Sequence, residues 1–202
     1  LSESARAAFH ESLTRGGPEP AEVTGRDLDV LAVERRLFVR GAPNELVLHG
    51  SAGAGKTWLL RLLAWWWQRT GPVSRVFRFS LDEPDVTPRT LVEWIARGLG
   101  TADGAATAEM AWPALLGGVA RRLRDEPHLL ILDCGAHSLR DLDDDGEETY
   151  RTVLTRLRGG RTLVLIGSRS DESWLPATAV ARPPAASITA TRAERRSARR
   201  AV

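Results

Sequence analysis

Apolar positions in this chain follow two patterns, short unbroken runs and helical spacings, and together they predict its elements. Leu46-Val47-Leu48-His49, residues 75–80 (Val76, Phe77, Phe79), Leu129-Leu130-Ile131-Leu132-Asp133 and residues 162–166 read as buried strands. Residues 27–39 place Leu28, Leu31, Leu37 and Phe38 on an amphipathic helix. Residues 57–68 carry no Gly or Pro and read as a second helix. Residues 88–99 set Leu91, Ile95 and Leu99 at i, i+4 and i+8. Residues 112–124 form another helix, with Pro113 tolerated in its first turn, and 148–158 the last. The order β-α-β-α-α-β-α-β predicts an α/β fold, a parallel sheet with helices on both faces. A short helix to about residue 14 precedes this core, followed by the linker signal Gly16-Gly17-Pro18-Glu19-Pro20. Residues 100–107 read as a small-residue loop and 140–148 as an acidic, exposed one. The expected division is an N-terminal helix and linker over 1–24, a core domain over 25–176, and a tail over 177–202, rich in Ala, Arg and Pro, that is expected to be disordered or at most weakly attached to the sheet.

The first strand and its helix are joined by Gly50-Ser51-Ala52-Gly53-Ala54-Gly55-Lys56-Thr57, which matches the phosphate-binding pattern G-x-x-x-x-G-K-[ST]. In that context the loop's backbone N–H groups and the helix N-terminus face an anion. Gly50, Gly53, Ala54, Gly55, Lys56, Thr57 and Trp58 are the expected cradle. Lys56 is also the one lysine among 28 Lys+Arg residues. Arginine is a planar fork, and lysine a compact point charge that reaches β- and γ-phosphates through a tight loop. Asp133 ends an apolar strand, at the sheet edge where α/β proteins place ligands. Beside a P-loop it is expected to hold Mg²⁺ together with the Thr57 hydroxyl. Arg169 follows the last strand in Leu163-Val164-Leu165-Ile166-Gly167-Ser168-Arg169 and is expected at the same edge, where its side chain would sense a γ-phosphate. Lys56, Asp133 and Arg169 form the candidate catalytic set, with ATP or ADP and Mg²⁺ as the implied cofactors.

Composition narrows the setting. No apolar run approaches the ~20 residues of a membrane span, and no secretory signal pattern opens the chain. The single cysteine, Cys134, excludes an internal disulfide and fits a reducing cytoplasm. The formal net charge of +2 conceals an asymmetry. From residue 177 onward there are six arginines and one acid, Glu194, so residues 1–176 carry −3. Nucleic-acid contact is therefore expected only of the basic tail. The chain starts at Leu1, and a segment of a larger protein is expected.

Gly25-Arg26-Asp27-Leu28-Asp29-Val30-Leu31, the P-loop, Trp65-Trp66-Trp67, the Asp133 strand and Ser168-Arg169 together resemble the STAND ATPases, signal-transduction ATPases with NACHT and NB-ARC relatives. The likeness is greatest to bacterial forms that join a CHAT or similar effector to the ATPase core and a helical-repeat sensor, and it covers about residues 23–175. It implies a P-loop NTPase fold of the additional-strand type, order 2-3-4-1 with a weak or missing fifth strand. Ser187-Ile188-Thr189-Ala190-Thr191 is a poor candidate for that strand. The resemblance also implies a signalling or defence switch, effector and sensor domains as partners, and Arg26 near the adenine.

The departures imply slow hydrolysis. Relatives often carry a second acid soon after the strand aspartate, and here Cys134-Gly135-Ala136-His137 follows. Asp141, Asp143, Asp144 and Asp145 read as a solvated loop, and His137 as a possible substitute base. The family's winged-helix lid and repeat array are not in the sequence. Two rival readings remain: a phosphotransferase with lid arginines from Arg121, Arg122 and Arg124, and a non-catalytic interaction module that binds nucleotide for structure. Of the three tryptophans, one or two are expected to pack on the sheet, because a helix cannot bury three consecutive residues on one face.

Overall fold

The computed structural model describes residues 26–39, 42, 44–81, 83, 86–101, 109–134, 144–169 and 180–181, the side chains of 144–148 and 180–181 excepted. Its elements are α1 (Asp27–Leu37), β1 (Glu45–His49), α2 (Lys56–Thr70), β2 (Arg75–Ser80), α3 (Pro88–Gly98), α4 (Trp112–Asp125), β3 (His128–Asp133), α5 (Asp144–Leu157), β4 (Leu163–Ser168) and β5 (Val180–Ala181). The strands form one parallel sheet in the order β2-β3-β4-β1-β5. β3 and β4 are buried along their whole length, as unbroken apolar runs in the middle of a doubly covered sheet should be. β2 lies at the edge, with Arg75 exposed and Arg78 and Ser80 half-buried between apolar residues.

Side-chain alternation divides the core in two. Phe77, Phe79, Leu130, Leu132, Val164 and Ile166 face one side, against α3, α4 and α5. Leu46, Leu48, Val76, Leu129, Ile131 and Leu165 face the other, against α1 and α2. Two glycines let elements approach closely. A Cβ on Gly167 would come within 2.7 Å of Leu60, so α2 lies directly on the end of β4. A Cβ on Gly98 would press equally on the ring of Phe77, bringing α3 onto β2. α3 begins at Pro88 because Thr87 caps it: its hydroxyl accepts the Thr90 N–H at 3.1 Å, and Thr90 Oγ1 accepts the Thr87 N–H at 2.8 Å.

The weak fifth strand is there, as expected, but its place and one loop differ from the expectation. A fifth strand is present and comes from Val180–Ala181, ahead of the weak candidate at 187–191, which lies outside the described residues. It is two residues long and pairs with Val47 and Leu48 of β1. The acidic stretch read as a loop over 140–148 is helical from Asp144 onward. Carboxylates in a first turn complement the helix dipole, so an acid-rich start is a favourable one. The predicted helix to residue 14, the linker, His137, Asp141 and Asp143 lie outside the described residues. Among the described residues, no helix is long and apolar enough to cross a membrane.

Candidate functional site

β1 delivers the chain at Gly50 to the carboxyl edge of the sheet, and the loop to Gly55 turns it back into α2. The turn needs glycine twice, with φ of 75° at Gly53 and 82° at Gly55, the left-handed region that side chains disfavour. Ala54 N–H donates to Ser51 O at 3.2 Å within the loop, and Gly50 N–H to Ser168 O at 3.2 Å, which ties the loop to the end of β4. No side chain caps α2, and its first turn holds no acidic residue. The first amides of this 15-residue helix and its positive dipole end are thus not neutralised from within, the condition for accepting an anion there.

Lys56 is buried, and its ammonium turns back over the loop, donating to Gly50 O at 2.8 Å and Ser51 O at 3.2 Å. Burial pushes it below the usual lysine value; the Asp133 carboxylate opposes that shift and the Arg169 guanidinium adds to it. The fold explains why these charges meet. In register, Asp133 of β3 lies beside Gly167 of β4, and Ser168 beside His49 of β1. The ends of three adjacent strands therefore carry Asp133, Arg169 and the start of the P-loop to one edge. Asp133 is buried and Arg169 exposed. Thr57 and Trp58, both half-buried, follow Lys56 in the first turn of α2.

Arg26, at the start of α1, meets the loop at Ala54. It is buried, donates to Ala54 O at 3.1 Å, and pairs with Asp29 at 3.0 Å. Its guanidinium carbon sits 5.9 Å from the Trp58 ring centre, a cation–π distance.

Two residues at the site were not singled out from sequence. Asp29 anchors Arg26, and its signal was the i,i+3 spacing of opposite charges. Gly167 keeps space between Leu60 and Asp133: a Cβ there would lie 3.4 Å from Asp133 Oδ1. A glycine inside an apolar strand was its signal.

Other candidates fall away from this edge or take another role. Arg121, Arg122 and Arg124 lie near the end of α4, just before β3 begins, and the Arg124 carbonyl accepts the Arg161 N–H beside the start of β4. That is the opposite edge of the sheet, so these arginines do not form a lid over the P-loop. Cys134 is fully buried in the core on the α3–α5 side, and its N–H donates to Gly167 O at 2.8 Å.

The donor chemistry fits Mg²⁺. A buried carboxylate and a hydroxyl are hard oxygen ligands, and Mg²⁺ is usually held by one or two carboxylates with phosphates and water. Among the described residues, no group of three or more His, Cys, Asp or Glu could hold a metal ion by itself.

Residues 40–175 match the family model described as AAA domain. No curated protein matches the chain. Among solved structures, Cdc6p from Pyrobaculum aerophilum is similar at 18% identity and a TM-score of 0.52, over 82% of this chain and 46% of that one. ORC from Drosophila, in a structure bound to DNA, is similar at 19% identity and a TM-score of 0.53, over 87% of this chain and 44% of that one. The chain spans less than half the length of these relatives, and at such identity the likeness is one of fold.

Proposed function

Because the chain belongs to the AAA domain family of P-loop ATPases, we propose that it is the ATP- and Mg²⁺-binding core of a signalling or defence switch that hydrolyses ATP slowly. The observation that carries this reading is the uncapped N-terminus of α2 behind a glycine loop, with Lys56 under the influence of both Asp133 and Arg169. In this reading the loop amides and Lys56 hold the β- and γ-phosphates, Thr57 and Asp133 hold Mg²⁺, and Arg169 reports the γ-phosphate. The bound metal would neutralise charge on the phosphates. The finer assignment to the STAND class, with effector and helical-repeat sensor partners, rests on the sequence resemblance, and a cytoplasmic setting on the single cysteine. Nucleic-acid contact is assigned only to the basic tail, since residues 1–176 carry −3; salt-dependent DNA binding with and without 177–202 tests it.

Slow turnover is supported by Cys134. The position directly after Asp133 is filled by a thiol packed in the core, where it cannot orient water. Steady-state phosphate release should fall well below about 10 s⁻¹, the middle of the ordinary enzyme range. Rapid turnover that disappears in Asp133→Asn would reveal a catalytic base elsewhere. The same burial favours a second reading, a nucleotide-binding module without hydrolysis. Single-turnover hydrolysis separates the two, since a pure binding module shows no phosphate release over hours.

The depressed Lys56 titration gives a pH signature with a definite sign. A polyphosphate favours the charged ammonium, so binding raises its pKa again. ATP affinity should be constant while Lys56 is protonated in the free chain and fall as pH rises through the depressed value. The fall should start below 10.5, the ordinary lysine value. Calorimetry in buffers of different ionisation enthalpy should show proton uptake in that window. Unchanged affinity up to pH 10.5 would contradict the role given to Lys56.

A further inference from the structure

Arg26 makes contacts that a surface arginine does not. The residue is buried, and a buried guanidinium is costly unless its charge and its N–H groups find partners. Nη1 meets Asp29 Oδ2 at 3.0 Å, and Asp29 is itself buried on the first turn of α1. Nη2 meets the carbonyl of Ala54 at 3.1 Å, 28 residues away in the P-loop. The guanidinium also fills the space beside Gly55, where a Cβ would collide with it.

The Ala54–Gly55 peptide is planar and trans, so its carbonyl and its N–H point in opposite directions. Holding the Ala54 carbonyl toward α1 therefore turns the Gly55 N–H away from α1. Gly55, at φ 82°, is the residue from which α2 starts, and the amides that follow it are those of Lys56 and Thr57. One buried cation thus fixes the peptide from which the loop's run of N–H groups begins, and Asp29 fixes the cation.

We infer that Arg26 is a positioning residue for the P-loop: anchored by Asp29, it sets the direction of the amides that receive the phosphates and so links the docking of α1 to nucleotide affinity. The inference rests on the nucleotide-binding reading of the site. It places the effect of Arg26 on the polyphosphate and not on the base.

The test compares ATP with inorganic tripolyphosphate, both with Mg²⁺, by calorimetry on the full chain, with thermal melts alongside. Arg26→Ala should weaken both ligands by a common factor of about tenfold, the scale of one lost charge-assisted hydrogen bond. Arg26→Lys keeps one charged donor for Ala54 and should recover part of the loss for both. Asp29→Asn should produce a smaller common loss. Weakened ATP with unchanged tripolyphosphate would overturn the inference in favour of a contact with adenine. Unchanged binding of both by folded Arg26→Ala would overturn it outright. Should Arg26→Ala fail to fold, Asp29→Asn decides: a common loss supports the inference, and unchanged binding refutes it. A parent chain that binds neither anion would sink the nucleotide site itself, a failure distinct from an insensitive Arg26 variant.

Discussion

Lys56→Ala is expected to abolish ATP binding and leave the fold in place. The lysine ammonium is held over the loop by the carbonyls of Gly50 and Ser51, where it feels the charges of Asp133 and Arg169. No second lysine exists to replace it, because the chain has only one. Arg169 cannot take its place: it is exposed, it leaves the end of β4, and it lies outside the loop. The fold should tolerate the change because Lys56 is a desolvated charge, held below its ordinary pKa by burial. Removing it forfeits two hydrogen bonds to carbonyls and relieves that burial, so the two effects oppose each other. Calorimetry at concentrations that saturate the parent should give no binding heat, and the melting temperature should move by a few degrees at most. Equal affinity in parent and variant would remove the P-loop from the account of this protein.

The features that were legible in the sequence share a physical cause. Leu129 to Leu132 and Leu163 to Ile166 are unbroken apolar runs because both faces of β3 and β4 are covered, and so they could be read as buried strands. The P-loop could be read because its chemistry demands particular residues at fixed spacing. What escaped has equally definite causes. β5 is two residues long, shorter than any window in which alternation can be seen, and it exists through pairing with Val47 and Leu48. The start of α5 was hidden because Asp144 and its neighbours carry no apolar spacing; that begins at Tyr150, Val153, Leu154 and Leu157, all buried. The role of Arg26 depends on a contact across 28 residues, which no local pattern encodes. Its pairing with Asp29 is local, and that half could have been read.

Of three consecutive tryptophans, only one should matter greatly for stability. Side chains rotate by about 100° per residue along a helix, so Trp65, Trp66 and Trp67 leave α2 in three directions. Trp67 points inward and has no exposure, packed in the cluster that includes Leu46, Leu63 and Val76. Its indole N–H donates to Glu34 Oε1 at 3.0 Å, and Phe38 meets its ring edge-on with centres 5.2 Å apart. Trp65 is half-buried beneath Arg69, and Trp66 is 41% exposed. Trp66 donates at 3.2 Å to the same oxygen of Glu34, so that carboxylate keeps one partner if either indole is lost. Trp67→Ala removes a large buried ring, opens a cavity between α2 and the sheet, and loosens the contact that holds α1. It should cost about 3–5 kcal/mol of unfolding free energy. Trp66→Ala removes an exposed ring and one partly solvated hydrogen bond, and should cost about 1 kcal/mol or less. Urea unfolding of the two variants against the parent measures the contrast. Similar losses at both positions would mean that α2 presents a different face to the sheet, and with it a different approach of Lys56 to Asp133.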